Sequence, residues 1–201
     1  MIGGKHRAPG LTLIEILIVV TLFATATIIL SQIFLSFTRM HRTIANSALL
    51  AQDMRYAMEL IVRETRKKLI NYDPVTGYPD DASAFSSSML RLVDAKGNRI
   101  DISVQSSGVC LDTTVTSCLA LSENGGVWNP ITGKRVNVKR FGVYVRPAKD
   151  PFVVDLGTGT YLANEQPMAT IHLELEYVAP DSRDNSTLET QTTVSSRIYK
   201  R

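Results

Sequence analysis

An apolar segment of 27 residues, at positions 11–37, constrains the fold of this chain more than any other feature. It contains no Lys, Arg, Asp, Pro or Gly, and Glu15 is its only charged residue. An α-helix rises about 1.5 Å per residue, and about 20 apolar residues cross the hydrocarbon core of a bilayer. We therefore expect residues 11–37 to form a membrane-spanning helix.

The residues before this segment are basic and end in a small residue. Lys5 and Arg7 precede it without any acid, which favours a cytoplasmic N-terminus, and Gly10 lies directly before it. A secretory signal has an apolar region of about 7–15 residues, and its small-residue cleavage site follows that region. Here the order is reversed, so cleavage after Gly10 would leave the helix on the mature protein. A plain uncleaved anchor is the alternative.

Glu15 distinguishes this segment from a plain anchor. A carboxylate inside a membrane span costs roughly 2.5–3.5 kcal/mol on insertion scales. Its position therefore requires a compensating partner or a function.

The run from Pro9 to Glu15, PGLTLIE, resembles the N-terminus of type IV prepilins and type II secretion pseudopilins. The resemblance implies cleavage between Gly10 and Leu11 by a prepilin peptidase, which also methylates the new amine of Leu11. It implies that Glu15 pairs with the terminal amine of a neighbouring subunit. The implied partners are other pilin or pseudopilin subunits, the peptidase and an inner-membrane assembly platform. The implied location is the inner membrane, with the C-terminal domain outside the cytoplasm, and then the pilus or pseudopilus.

Several departures favour a minor subunit of the J or W type. The apolar segment lacks the proline of many major pilins and has Gln32 there. Residues 58–66 are also similar to those subfamilies, and so is the Ser/Thr-rich C-terminal strand, which has Ser195-Ser196-Arg197 near its end. Leu11 replaces the commonest phenylalanine, a change that the family pattern tolerates. The function implied is a structural subunit of a type IV pilus or type II secretion pseudopilus. The alternative is an uncleaved, membrane-anchored extracytoplasmic binding or sensor domain.

The remaining chain predicts an α+β fold, with a long N-terminal spine helix packed on an antiparallel β-sheet domain. Residues 1–10 form the leader and 11–37 the membrane and assembly helix. An apolar stripe without Pro or Gly extends the helix over residues 38–70. Pro74, Gly77 and Pro79 then predict a connecting loop over residues 71–88.

Residues 89–201 carry the alternating pattern of β-strands. The pattern predicts a hairpin of residues 89–93 and 99–104, and a second pair of residues 109–115 and 118–121. Residues 136–145 predict a strand whose parity changes at Lys139 and Arg140, as at a bulge. Residues 171–177 predict a further strand, and residues 187–199 predict the last one.

Cys110 and Cys118 are the only cysteines. Their even number and an extracytoplasmic location predict a disulfide.

Other functional classes lack their motifs. The sequence has no phosphate-binding glycine loop, HExxH, GxSxG or CxxC motif, so we expect neither an enzyme nor a cofactor. The basic run at residues 63–68 alternates with an acid at helical spacing, which indicates a solvated helix face and not a nucleic-acid site. Asp150, Asp155 and residues 181–185 could offer oxygen atoms to calcium. That ion needs about six to eight oxygens, so we expect turns there and no metal site.

Overall fold

The computed structural model describes residues 12–73 and 85–196. The protein is α+β, as predicted, with one long N-terminal helix packed against antiparallel β-sheets. The chain forms two compact units, Met1–Arg42 and Thr43–Arg201.

The described elements comprise one helix and nine strands in chain order. The helix α1 covers Leu13–Lys67, and a short 3-10 turn covers Ser182–Asp184. The strands are β1 (Leu69–Ile70), β2 (Phe85–Ser87), β3 (Met89–Val93), β4 (Arg99–Ser106), β5 (Ser117–Glu123), β6 (Trp128–Pro130), β7 (Val136–Arg146), β8 (Met168–Tyr177) and β9 (Ser186–Ser195).

The strands of the antiparallel β domain form two sheets. One sheet has five strands in the order β1-β3-β4-β5-β6, and the other has four in the order β2-β7-β8-β9. The predicted hairpin is present as β3 and β4, and β5 follows β4 in the same sheet.

The core of the second unit lies between the C-terminal part of α1 and the two sheets. Leu50, Met54, Ala57 and Ile61 recur at helical spacing and are all buried. They share one hydrophobic cluster with apolar side chains of both sheets, among them Leu90, Leu92, Ile102, Leu119, Val143, Ile171, Leu173 and Leu175. Removing this apolar face from water is the main driving force for packing the helix on the sheets.

Strand β7 contains the bulge that its sequence predicts. Val138 lies opposite Leu175 and Arg140 lies opposite Glu174, so Lys139 has no counterpart on β8. Lys139 and Arg140 are consequently both exposed, while Val138 and Phe141 remain buried.

Two local expectations were wrong. The helix ends at Lys67 and not near Ile70, because Leu69 and Ile70 pair with β3 as a short strand. Strand β2 lies inside the predicted loop of residues 71–88 and pairs with β7. The last strand begins at Ser186 and ends at Ser195, and residues 197–199 of the predicted strand lie outside the described residues.

The predicted strand at residues 109–115 is also wrong. The segment is a series of turns, with hydrogen bonds from the Cys110 amide to the Ser107 carbonyl and from the Val115 amide to the Asp112 carbonyl. Asp112 further accepts a bond from the Thr114 amide at 2.9 Å. Short side-chain bonds of this kind compete with strand pairing, so β5 pairs with β4 instead.

Candidate functional site

The surface of α1 in the first unit is apolar and fully exposed. An 18-residue window of this helix has a mean hydropathy of 2.6 and no buried residue. Leu13 is 83% exposed and Phe23 is 74% exposed, so the protein itself does not cover these side chains. The helix is long and apolar enough to serve as a single membrane anchor.

The hydroxyl groups on this surface form hydrogen bonds within the helix. Each donates to a main-chain carbonyl three or four residues earlier, at 2.8–2.9 Å, in the cases of Thr21, Thr25, Thr27, Ser31 and Thr38. A hydroxyl bonded in this way does not require water or another protein group. The Ser and Thr residues of the span are therefore compatible with an apolar environment.

Glu15 lies in the first turn of α1, next to a cap that sequence reasoning missed. The Glu15 amide donates to the Thr12 carbonyl at 3.1 Å and lies 3.4 Å from the Thr12 hydroxyl oxygen. Thr12 and Glu15 have the spacing of a capping box, in which the first residue accepts from the amide three positions later. In the sequence, the T-x-x-E pattern from Thr12 to Glu15 indicates such a cap. The same residues belong to the motif that carries the resemblance, and they were interpreted only as that motif.

The Glu15 carboxylate has no ion-pair partner within residues 12–73 and 85–196. It projects from a helix whose neighbouring side chains, Ile14 and Ile16, are 67% and 52% exposed. The partial positive charge at the helix N-terminus stabilises an acid in this turn. Gly10 and Leu11, the expected cleavage and methylation residues, lie outside the described residues.

In the second unit, α1 also carries exposed apolar side chains. Leu49 and Tyr56 are 50% and 56% exposed, and their seven-residue spacing places them on one face of the helix. The adjacent residues Leu50 and Ala57 point into the core instead. The helix therefore has one apolar face packed on the sheets and further apolar side chains on a face that is uncovered.

The predicted disulfide between Cys110 and Cys118 is confirmed. The two sulfur atoms are bonded at 2.06 Å across a separation of eight residues. Cys118 lies in β5 and is 1% exposed, so the bond attaches the turn segment to the five-stranded sheet. This arrangement fits a structural role.

The loop at residues 181–185 is held by hydrogen bonds of its own. In the part of the chain that is described, no group of three or more His, Cys, Asp or Glu residues is placed to hold a metal ion. Asp181 instead accepts from the Arg183 amide at 3.1 Å, and Asn185 accepts from the Ala179 amide at 2.9 Å. These hydrogen bonds stabilise the loop of residues 181–185, which the sequence indicated as one candidate source of calcium ligands.

Asp101 and Arg99 form an ion pair on the outer face of the five-stranded sheet. Asp101 is 6% exposed, and its Oδ2 lies 2.8 Å from the Nε atom of Arg99. Burial raises the pKa of Asp101, and the nearby charges of Arg99 and Arg91 partly oppose that rise. Since Asp101 is buried on this face of the sheet and is paired with Arg99, we interpret the pair as part of the fold and not as a reactive group.

Comparison of the chain with protein-family models, with curated proteins and with solved structures found no match. The features that bear on function are therefore those of the chain itself. They are the exposed apolar helix, the carboxylate in its first turn, and a β domain closed by a disulfide.

Proposed function

We propose that this protein is a minor pilin or minor pseudopilin, a structural subunit of a type IV pilus or a type II secretion pseudopilus. The observation that carries the proposal is Glu15, the last residue of the PGLTLIE run and the only charged residue of the exposed apolar segment at positions 11–37. The subunit would act through assembly and would catalyse no reaction.

The carboxylate supports the proposal through its need for a partner. Cleavage between Gly10 and Leu11 would create a terminal amine four residues from Glu15. In a filament, this amine would neutralise Glu15 of an adjacent subunit, since neither charge is stable alone in an apolar environment. Such a pair would also fix the axial register between neighbouring helices.

The exposed apolar surface supports assembly by the same reasoning. Before assembly, lipid would cover the side chains between Leu13 and Phe37, and in the filament like helices would cover them. Apolar area stays out of water in both states, and the hydroxyls keep their own hydrogen bonds, so the transfer has a small free-energy cost. Leu49 and Tyr56 would extend the same contacts beyond the membrane.

The anchor and the disulfide support the proposed location. A single span near a basic leader fits an inner-membrane protein whose C-terminal domain lies outside the cytoplasm. Disulfides persist in oxidising compartments, and the bond between Cys110 and Cys118 fits that side of the membrane. The proposed partners are other pilin or pseudopilin subunits, the prepilin peptidase and the assembly platform.

The first experiment is an intact-mass measurement on protein extracted from membranes, with and without the peptidase. Loss of residues 1–10 together with gain of one methyl group, only when the peptidase is present, is the expected result. A full-length mass in both strains would contradict the proposal and would leave the uncleaved binding or sensor domain as the explanation.

A second experiment tests Glu15 directly. Glu15→Gln removes the charge but keeps the shape, so we expect normal membrane insertion and loss of recovery in sheared or purified filaments. Thr25→Val is the matched control, because it also changes one polar group of the span but removes only a hydroxyl bonded within the helix. Equal incorporation of Glu15→Gln and wild type would show that the carboxylate does not take part in assembly.

A further inference from the structure

The two sheets have four edges, and one of them differs from the others. In the described chain, three edges are formed by strands of two or three residues, namely β1, β6 and β2. The fourth edge is β9, which has ten residues, each paired with a residue of β8. Short edge strands are one of the ways in which proteins prevent unwanted strand pairing. β9 lacks this protection.

No strand of the described residues pairs with the other side of β9, and this open side presents main-chain groups in a regular array. Directly after the strand, the Ser196 amide donates to the Pro167 carbonyl at 3.1 Å, in the same register. Residues of an antiparallel strand alternate between bonding to the neighbour and pointing away from it. The even-numbered residues of β9 therefore bond to β8, while the odd-numbered ones direct their N–H and C=O groups to the open side.

The composition of β9 is that of a strand able to pair further. Its sequence, STLETQTTVS, contains no Pro, Lys or Arg, and its pairing with β8 has no bulge. Four of its ten residues are Thr and one is Val, which are β-branched and favour extended chains. Proline, lysine and bulges are the other devices that prevent edge pairing.

The charges beside this edge indicate what would pair with it. Arg140, Glu174 and Glu189 lie directly opposite one another on β7, β8 and β9. Two acids facing each other are unfavourable, and the side chain of Glu189 is 63% exposed. On the sheet side Glu189 contacts His172, with 2.6 Å between Oε1 and Nε2. A cation on the open side of Glu189 would offset this repulsion. The row would then have a positive charge at each end, with Arg140 at one end and the added cation at the other.

We propose that the open edge of β9 binds an extended segment of a partner protein as an additional strand, with a lysine or arginine of that segment opposite Glu189. Main-chain hydrogen bonds to the odd-numbered residues supply affinity, and the contact with Glu189 supplies selectivity and register. The inference concerns the β domain, and it stands whether or not the N-terminal helix assembles into a filament.

The test uses the full-length protein in detergent micelles and two short peptides of alternating threonine and valine, with a central lysine or a central glutamate. We expect the lysine peptide to bind about fivefold more tightly, since opposite charges across strands attract and like charges repel. Bound peptide should slow hydrogen exchange at the amides of Glu189, Gln191 and Thr193. Equal affinities, or unchanged exchange at these amides, would overturn the proposal.

Two variants separate edge pairing from general instability. Glu189→Lys places a cation opposite Glu174, so the fold is retained, and the preference should invert towards the glutamate peptide. Gln191→Pro removes an outward N–H that β8 does not use, so binding of both peptides should be lost while the thermal unfolding midpoint remains near that of wild type. A homodimer whose formation blocks the lysine peptide would assign the edge to a second copy and overturn the proposed partner.

Discussion

The hydroxyl of Ser196 donates a 2.8 Å hydrogen bond to the main-chain carbonyl of Lys68. Ser196 directly follows β9 and is 1% exposed, while Lys68 directly follows α1. The Gln166 side-chain amide also donates to the Ser196 carbonyl at 2.7 Å. Ser196 therefore connects the end of the helix, the last strand and the loop before β8.

Ser196→Ala should destabilise the β domain by about 1–2 kcal/mol, because the Lys68 carbonyl would lose a buried donor. Denaturant unfolding followed by tryptophan fluorescence would measure the change. Ser195→Ala is the control, since Ser195 is exposed and its replacement should have almost no effect. Equal losses in the two variants would show that the Lys68 contact contributes nothing specific.

Asp53 should make stability depend on pH. Burial raises the pKa of this carboxyl above its ordinary value of 3.8, and a hydrogen bond from the Gly133 amide partly opposes the rise. Between the ordinary and the raised pKa, the folded state binds more protons than the unfolded state, so this contribution to stability falls as pH rises. Wild type should therefore lose stability relative to Asp53→Asn across that window, as measured by unfolding at a series of pH values.

Gly133→Ala provides an independent check of the same site. A Cβ atom at Gly133 would overlap the Asp53 carboxylate, which must then move away from the Gly133 amide. If movement of the carboxylate restores its contact with water, the stability of Gly133→Ala should no longer show the pH dependence that distinguishes wild type from Asp53→Asn. If this pH dependence persists unchanged in Gly133→Ala, a group other than Asp53 causes it.

Replacing Cys110 and Cys118 together by serine should destabilise the β domain by about 2–3 kcal/mol, from the entropy of closing a short loop in the unfolded chain. The double replacement leaves no free thiol to form other bonds. Unfolding of wild type with and without reductant provides the comparison. The variant should be insensitive to reductant, whereas reduced wild type should match it.

Two apolar residues of α1 should respond to truncation in opposite ways. Ile61 is fully buried, so Ile61→Ala should destabilise the β domain by about 2–5 kcal/mol. Tyr56 is 56% exposed, so Tyr56→Ala should change stability by less than about 0.5 kcal/mol. If the proposed filament forms, Tyr56→Ala should nevertheless reduce incorporation. A stability loss at Tyr56 equal to that at Ile61 would contradict the assignment of the two faces.

Features with a local periodicity could be predicted from the sequence. The helix, the β3–β4 hairpin, β8 and the bulge in β7 each have a pattern contained within one segment. The disulfide could be predicted because the chain has only two cysteines. For the helix and the strands, residues within one segment carry the signal, and pairing with β3 altered only the predicted end of the helix.

Features that depend on distant partners could not be predicted in this way. β1, β2 and β6 have two or three residues each, too few for an alternating pattern, and they are strands because β3, β7 and β5 pair with them. The division into two sheets has the same origin. At the candidate site, Glu15 stood out by its charge, whereas the capping role of Thr12 was missed because its T-x-x-E pattern overlaps the cleavage motif.

The bulge in β7 has a consequence for changes in chain length. Because Lys139 lies between two regular stretches and has no counterpart on β8, its deletion would join Val138 to Arg140 in unbroken alternation. The contact of Lys139 with Glu176, at 3.1 Å, would be lost. Deleting Tyr144 instead would exchange the buried and exposed positions of all β7 residues on one side of the deletion. Position 139 is therefore where this strand can become shorter by one residue and keep its buried and exposed sides.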